Sequence, residues 1–228
     1  MPMTINQNII LAIDTAFEHG RVVVFTQDGL ILSDHSLEHK MSHSTALCGT
    51  LETVLRNLNG YSLKLVMTGL GPGSFVGLRI SLATALGFAF GRSIPIMGFS
   101  SSLALAYSCD KLHDSSSVIT KASGNLVYFS GFSKKDSQLY QYSQTLVVDK
   151  NEALKHAASS SLVISDQDSG PQSLTLLGPS SSGVVHACLD RVNEFGIIDE
   201  SETIKPNYIK PPSVSTSKKS PVCVQFEI

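Results

Sequence analysis

Residues 69–79, GLGPGSFVGLR, are where this sequence most openly offers chemistry. They follow an apolar, strand-like run and open a helix-like one. Gly69, Gly71 and Gly73, with Pro72 among them, make a tight turn poor in side chains. Such a turn brings backbone N–H groups close to whatever sits there, which is what a phosphate at a helix N-terminus requires. Gly71, Gly73 and Gly77 read G-x-G-x-x-x-G. A dinucleotide fingerprint, however, sits in the first βα unit and has an acid about 20 residues on for the ribose. This loop follows four predicted strands, and residues 78–108 hold no Asp or Glu. The Gly-Lys-Ser/Thr of a P-loop is absent. The competing reading is steric: glycine permits a backbone approach that a Cβ would block.

Other candidates are isolated. Asp14 ends the first apolar run, where a carboxylate could orient a magnesium ion or simply make an Asx turn. It is carried forward as the one candidate cofactor contact; no bound cofactor is expected. His39 and His43 stand four apart, a spacing suited to two metal ligands on a helix face. No third ligand accompanies them and no H-E-x-x-H occurs, so solvated histidines and no metal are expected. Serines are many, but no G-x-S-x-G elbow marks a nucleophile, and no catalytic residue is expected. Cys48, Cys109, Cys188 and Cys223 form no C-x-x-C, which predicts neither a zinc site nor a disulfide framework.

The elements that must position these residues follow from periodicity. Residues 8–13 are nearly continuous apolar sequence, as in a strand covered on both faces. Residues 21–25 are a β-branched second strand, Asp28-Gly29 a hairpin turn and residues 30–33 a third strand. Leu47, Leu51, Val54, Leu55 and Leu58 make one helical stripe, with Ser42 or Ser44 to cap it and Gly60 to end it. A strand over 63–68, the glycine turn, a helix over 76–90, a strand over 95–98 and a helix from Ser100–Ser102 to about Cys109 complete a βββαβαβα half. In the second helix Gly77, Ser81, Ala85 and Ala89 lie four apart. This small-residue ridge lets another helix approach closely, inside the fold or across an interface. Residues 115–117 read as linker, and strands follow at 118–120, 126–132 and 139–148. A helix over 152–158, a strand over 174–177 and a helix over 183–195 echo the first half. Residues 211–228 read as a flexible tail.

The 228 residues are 42% hydrophobic and 16% charged, with a formal net charge of −2. No global field draws such a chain to nucleic acid or an anionic membrane. The first residues lack a basic and then apolar signal pattern, and the richest apolar run, near residues 82–90, is shorter than the about 20 residues a span needs. A cytoplasmic protein is expected.

At this point the motifs carry a resemblance. Residues 11–15 (LAIDT), His43-Ser44, residues 71–91 (GPGSFVGLRISLATALGFAFG), residues 94–101 (IPIMGFSS) and Pro206-Asn207-Tyr208-Ile209-Lys210 resemble the TsaB (YeaZ) family of tRNA threonylcarbamoyladenosine synthesis. The likeness is close over residues 9–105 and faint beyond. It implies an α/β actin/Hsp70-like (ASKHA) fold of two related βββαβα-type halves with mixed sheets. Here these would be residues 1–110, the partner-binding half, and 111–210, a degenerate half, with the tail at 211–228. It also implies a non-catalytic subunit that binds a TsaD-like paralogue, the enzyme of the pair, with a TsaE-like ATPase joining and tRNA contacted indirectly. The two N-terminal helices would carry the contact, through Gly73, Gly77, Arg79, Ser81, Ala85, Ala89, Leu47 and Leu51; alone, the chain could form a homodimer. Departures from the family are Ala16 where Ser is usual, Leu86 where Lys is usual, and Lys121 where the second half usually has Asp. Lysine cannot ligand magnesium, which argues against catalysis. The rivals are a stand-alone ATP-binding enzyme of the sugar-kinase type and, from an old family label, a protease. Lys205, Lys210, Lys218 and Lys219 leave direct tRNA contact open.

Overall fold

The computed structural model describes residues 7–37, 43–56, 58, 60–109, 111–167, 169 and 173–209. The first half runs β1 (Gln7–Asp14), β2 (Gly20–Thr26), β3 (Ile31–Leu37), α1 (His43–Arg56), β4 (Tyr61–Gly69), α2 (Phe75–Phe90), β5 (Ile96–Phe99) and α3 (Ser101–Ala106). The second runs β6 (Ser115–Ser123), β7 (Leu126–Lys135), β8 (Gln138–Gln141), β9 (Leu146–Asp149), α4 (Lys150–Ala157), β10 (Leu162–Ser165), β11 (Ser173–Thr175) and α5 (Ser181–Phe195). Each half is built on a mixed sheet, ordered β3-β2-β1-β4-β5 in the first and β11-β10-β6-β7-β8 in the second, with β9 also on β7. β1 is antiparallel to β2 and parallel to β4, and β6 is likewise antiparallel to β7 and parallel to β10.

Strand alternation sorts the side chains into layers. Ile9, Leu11 and Ile13 face α1 and α2 in one core cluster with Leu47, Leu51, Ala85 and Ala89. Ile10 and Ala12 face the other way, into a cluster that joins α3, α5 and the second sheet through Ala104, Val184 and Phe132. The outer face of the second sheet is covered by Ala153 and Ala157 of α4. The continuous apolar run of β1 is thus explained: both of its faces are buried. Asp14 shares the parity of Ile10 and Ala12 and therefore points toward α3 and α5.

The structure amends the sequence reading in several places. Residues 115–117 are no linker but the start of β6, and Ser116 and Ser117 are 2% and 0% exposed. At Ser117 and Ser115 the polarity is accommodated by pairing: Ser117 Oγ lies 2.6 Å from Ser160 Oγ, and Ser115 Oγ lies 3.2 Å from Ser161 Oγ. The predicted strand over 139–148 is two strands, β8 and β9, both laid on β7. β10 was not predicted at all. Residues 199–209, assigned with the second half, lie on the first. Glu200 N–H donates to Ile96 O (2.9 Å), and Asn207 N–H donates to Leu70 O (2.8 Å). The predicted caps Ser42 and Ser44 and the tail at 211–228 lie outside the residues whose side chains are described.

Candidate functional site

The glycine loop closes on the β1–β2 hairpin. Ser74 N–H donates to Ala16 O (2.7 Å), and Thr15 Oγ1 donates to Gly77 O (2.7 Å). A Cβ on Gly77 would overlap the Thr15 carbonyl oxygen, and one on Gly73 would lie 2.8 Å from the Ala16 Cβ. Several of the amides a phosphate cradle would offer already have partners. Gly71 N–H donates to Ser101 Oγ (3.0 Å), Gly77 N–H to Ser74 Oγ (3.2 Å) and Leu78 N–H to Ser74 O (2.9 Å). Gly71 takes φ +89°, a left-handed conformation that glycine adopts freely.

Asp14 lies beneath this closure and is 1% exposed. Its Oδ1 accepts the Ala16 N–H at 2.8 Å; its Oδ2 is buried without a hydrogen-bond partner among the described residues. A Cβ at Gly69 would sit 2.5–2.6 Å from both carboxylate oxygens. Burial pushes the carboxyl up to about 6, against the opposing pull of the Ala16 N–H and the Ser101 hydroxyl. Burial, and then the Asp14 charge, raise the Cys188 thiol as well. Asp14 therefore acts as an enclosed Asx-turn acceptor and does not present its carboxylate to the cleft.

In the second half Lys121 is exposed, and its backbone N–H donates to both Asp166 carboxylate oxygens (3.1 and 2.9 Å). Burial raises the Asp166 carboxyl, opposed by the Lys121 N–H and ammonium, with Glu18 adding to the rise. Sequence reasoning missed Asp166; its signal is an acid directly after the apolar run of β10. Between the halves a cleft of about 1320 Å³ is lined by Leu70, Pro72, Phe99, Ser100, Tyr142 and Arg191, among others.

The predicted interface residues divide by burial. Ser81 and Ala85 are 0% exposed, Ala89 2%, Leu47 0% and Leu51 5%. Gly77 is buried and Gly73 half-buried. The small-residue ridge thus faces inward, so that of the eight residues only Arg79 is exposed. The reason is that α2 is apolar nearly all round, and the ridge is the side thin enough to approach the sheet and the Thr15 backbone. Its outer side carries Val76 (63% exposed), Arg79, Ala83, Gly87 and Phe90 (89%). Between α1 and α2 runs a groove lined by Cys48, Leu55, Ala83, Gly87, Phe88 and Arg92, among others.

Among the described residues no cluster of three or more His, Cys, Asp or Glu is arranged for a metal. His39 lies outside them, as does the side chain of His43. Ser182, His186 and Asp190 do align along α5, but not as a triad. His186 Nδ1 is 2.8 Å from the Ser182 carbonyl oxygen and so must donate there. Asp190 is engaged by Tyr107 Oη (2.5 Å) and Gln138 Nε2 (3.0 Å). No helix among the described residues is long and apolar enough to cross a membrane.

Two mixed sheets with related topology, and helices between and outside them, define the actin/Hsp70-like (ASKHA) class. The structure aligns with YeaZ from Pseudomonas aeruginosa with a TM-score of 0.72 at 20% identity, covering 89% of this chain and 100% of that one. Residues 35–181 match the family model described as "TsaD: tRNA N6-adenosine threonylcarbamoyltransferase". The chain belongs to this family, with its TsaB (YeaZ) members. Similar curated proteins are the tRNA threonylcarbamoyladenosine biosynthesis proteins TsaB of Buchnera aphidicola and Haemophilus influenzae. The first is 27% identical over 60% of this chain and 67% of that protein; the second is 32% identical over 54% of each. The chain thus spans about half to two thirds of the length of these relatives.

Proposed function

We propose that this chain takes part in tRNA threonylcarbamoyladenosine biosynthesis as a non-catalytic subunit. It docks a TsaD-like enzyme on the outer faces of α1 and α2, and that enzyme performs the transfer. A TsaE-like ATPase joins the assembly, and tRNA is met through the partner, in the cytoplasm. The observation that carries this reading is the closed hairpin: the glycine loop is bonded to Thr15 and Ala16 above a buried Asp14, while the apolar residues Val76 and Phe90 of α2 stand in water. Large exposed apolar side chains grouped on one helix face mark an interaction surface. With the enzyme absent, the same face would support a homodimer.

The test is co-purification of the full chain with a TsaD-like protein under mild salt. Ala83→Glu, in the middle of the outer face, should abolish recovery while leaving the melting temperature of the free chain unchanged. Recovery of the chain without any such partner refutes the proposal. So does saturable Mg–ATP hydrolysis by the chain alone that Asp14→Asn abolishes, which would establish the kinase-like rival instead.

A further inference from the structure

The segment ending in Pro206-Asn207-Tyr208-Ile209 plays no part in the docking reading, yet it is fastened to the docking helix. Glu200 Oε2 accepts the Gly98 N–H of edge strand β5 at 2.8 Å, and Glu200 Oε1 accepts from Arg191 Nη2 of α5 at 2.6 Å. Further on, Asn207 N–H donates to Leu70 O (2.8 Å) and Tyr208 N–H to Pro206 O (3.0 Å). The backbone on the N-terminal side of Tyr208 is thereby fixed against the first half. The Tyr208 ring lies 5.2 Å from the Phe75 ring, centroid to centroid. The Arg79 guanidinium sits by both, 3.7 Å from the Phe75 centroid and 5.8 Å from that of Tyr208. Arg79 Nε–H donates to Tyr208 Oη at 3.0 Å.

We propose that Phe75 and Tyr208 hold the Arg79 guanidinium as a preset fork for a carboxylate on the protein that docks on α2, an inference that rests on the docking reading. With Nε–H engaged, the outer edge of the guanidinium keeps its two Nη groups, and no carboxylate among the described residues forms an ion pair with it. That edge matches the two oxygens of a carboxylate bidentately. Holding the fork before the partner arrives removes the ordering loss that a free arginine would suffer on binding. A protein carboxylate is favoured over a nucleic-acid phosphate by the surroundings. Phosphate recognition gathers several cations, whereas Arg79 stands between exposed Val76 and Ala83. Along α2 and its C-terminal turn the next cation is Arg92, 13 residues on and stacked on Phe88. Tyr208 is then a positioning residue: it acts on the partner through Arg79.

The test is calorimetry of the full chain with its TsaD-like partner. Arg79→Gln should weaken binding by about 10-fold or more, and Arg79→Lys should restore only part, since an ammonium cannot chelate two oxygens. Tyr208→Phe, which keeps the ring and loses only the hydroxyl acceptor, should weaken binding by about 3- to 10-fold without moving the melting temperature. Combined with Arg79→Gln it should add nothing further. Without any partner, the Arg79 Nε–H nuclear magnetic resonance signal should be protected from exchange in the native chain and lost in Tyr208→Phe. If Arg79→Gln and Tyr208→Phe bind like the native chain while Ala83→Glu does not, the docking reading stands and this proposal falls. If Ala83→Glu also binds normally, the docking reading falls and takes this proposal with it. If Arg79→Gln spares the protein contact and instead weakens salt-dependent tRNA binding by the assembled complex, the ligand is a phosphate and the proposal is overturned.

Discussion

Two glycines in α2 should respond to alanine with opposite signs. A Cβ on Gly77 would overlap the Thr15 carbonyl oxygen and lie 3.0 Å from its carbonyl carbon, whereas one on Gly87 would meet nothing within 4 Å. Alanine in place of glycine within a helix gains at most about 1 kcal/mol. At Gly87 that gain is unopposed. At Gly77 the β1–β2 hairpin must move away, and overpacking of this kind costs about 1–3 kcal/mol. The Thr15 Oγ1 to Gly77 O bond is disturbed by the same movement, which adds about 1 kcal/mol. Gly77→Ala should therefore lose about 1–3 kcal/mol net, and for a chain of this size each kcal/mol moves the melting temperature by about 2–4 °C. Differential scanning calorimetry should show Gly77→Ala melting roughly 2–12 °C lower and Gly87→Ala up to about 4 °C higher than the native chain. If Gly77→Ala melts normally, the close approach is not what the glycine is for. If it melts normally but loses binding of a nucleotide, the loop is a phosphate cradle after all.

Asp14 carries a pH signature. Its folded value, near 6 against 3.8 for the model compound, is raised. Its contribution to stability is therefore full below 3.8 and lost as pH rises through about 6, an effect of about 3 kcal/mol. Urea titrations from pH 3.5 to 7.5 should show that Asp14→Asn flattens this dependence and stabilises the chain at neutral pH; an unchanged pH profile refutes the burial argument. Ala85→Glu should unfold or severely destabilise the chain, by several kcal/mol, because it places an unpaired carboxylate in a closed core. The damage should be smaller at pH 5 than at pH 8, where a buried carboxyl is forced to ionise, and circular dichroism melts at both values check this. Gly183→Ala should destabilise the crossing of α5 over α3 by about 1–3 kcal/mol, since its Cβ would overlap the Ala104 carbonyl oxygen. Denaturant midpoints read the loss, and a native midpoint would mean the two helices can part without strain.

The limits of sequence reading here have physical causes. β1 was legible because a strand buried on both faces cannot afford polar residues, and α1 because one stripe of leucines must face a sheet. The glycine loop was legible as a close approach, since a helix without acids after it left phosphate chemistry without support. The direction of that approach was not. A helix with apolar residues nearly all round has no polar face to mark its outside, so Gly77, Ser81, Ala85 and Ala89 fit an inner seam and an outer one equally well. Only the position of Thr15, 62 residues away from Gly77 in sequence, decides between them. The start of β6 failed for the converse reason. Serine is read as loop, but a hydroxyl inside a sheet is tolerated when another hydroxyl answers it, and the partners Ser160 and Ser161 are themselves in a stretch that reads as loop. Asp14 lies between these cases. Counting by twos from Ile10 and Ala12 places its side chain on the face toward α3 and α5, so its burial followed from the period of the strand. Its residue type left a magnesium contact and an Asx turn both open; the parity of a strand with both faces covered puts the side chain in the core, where Oδ1 accepts the Ala16 N–H.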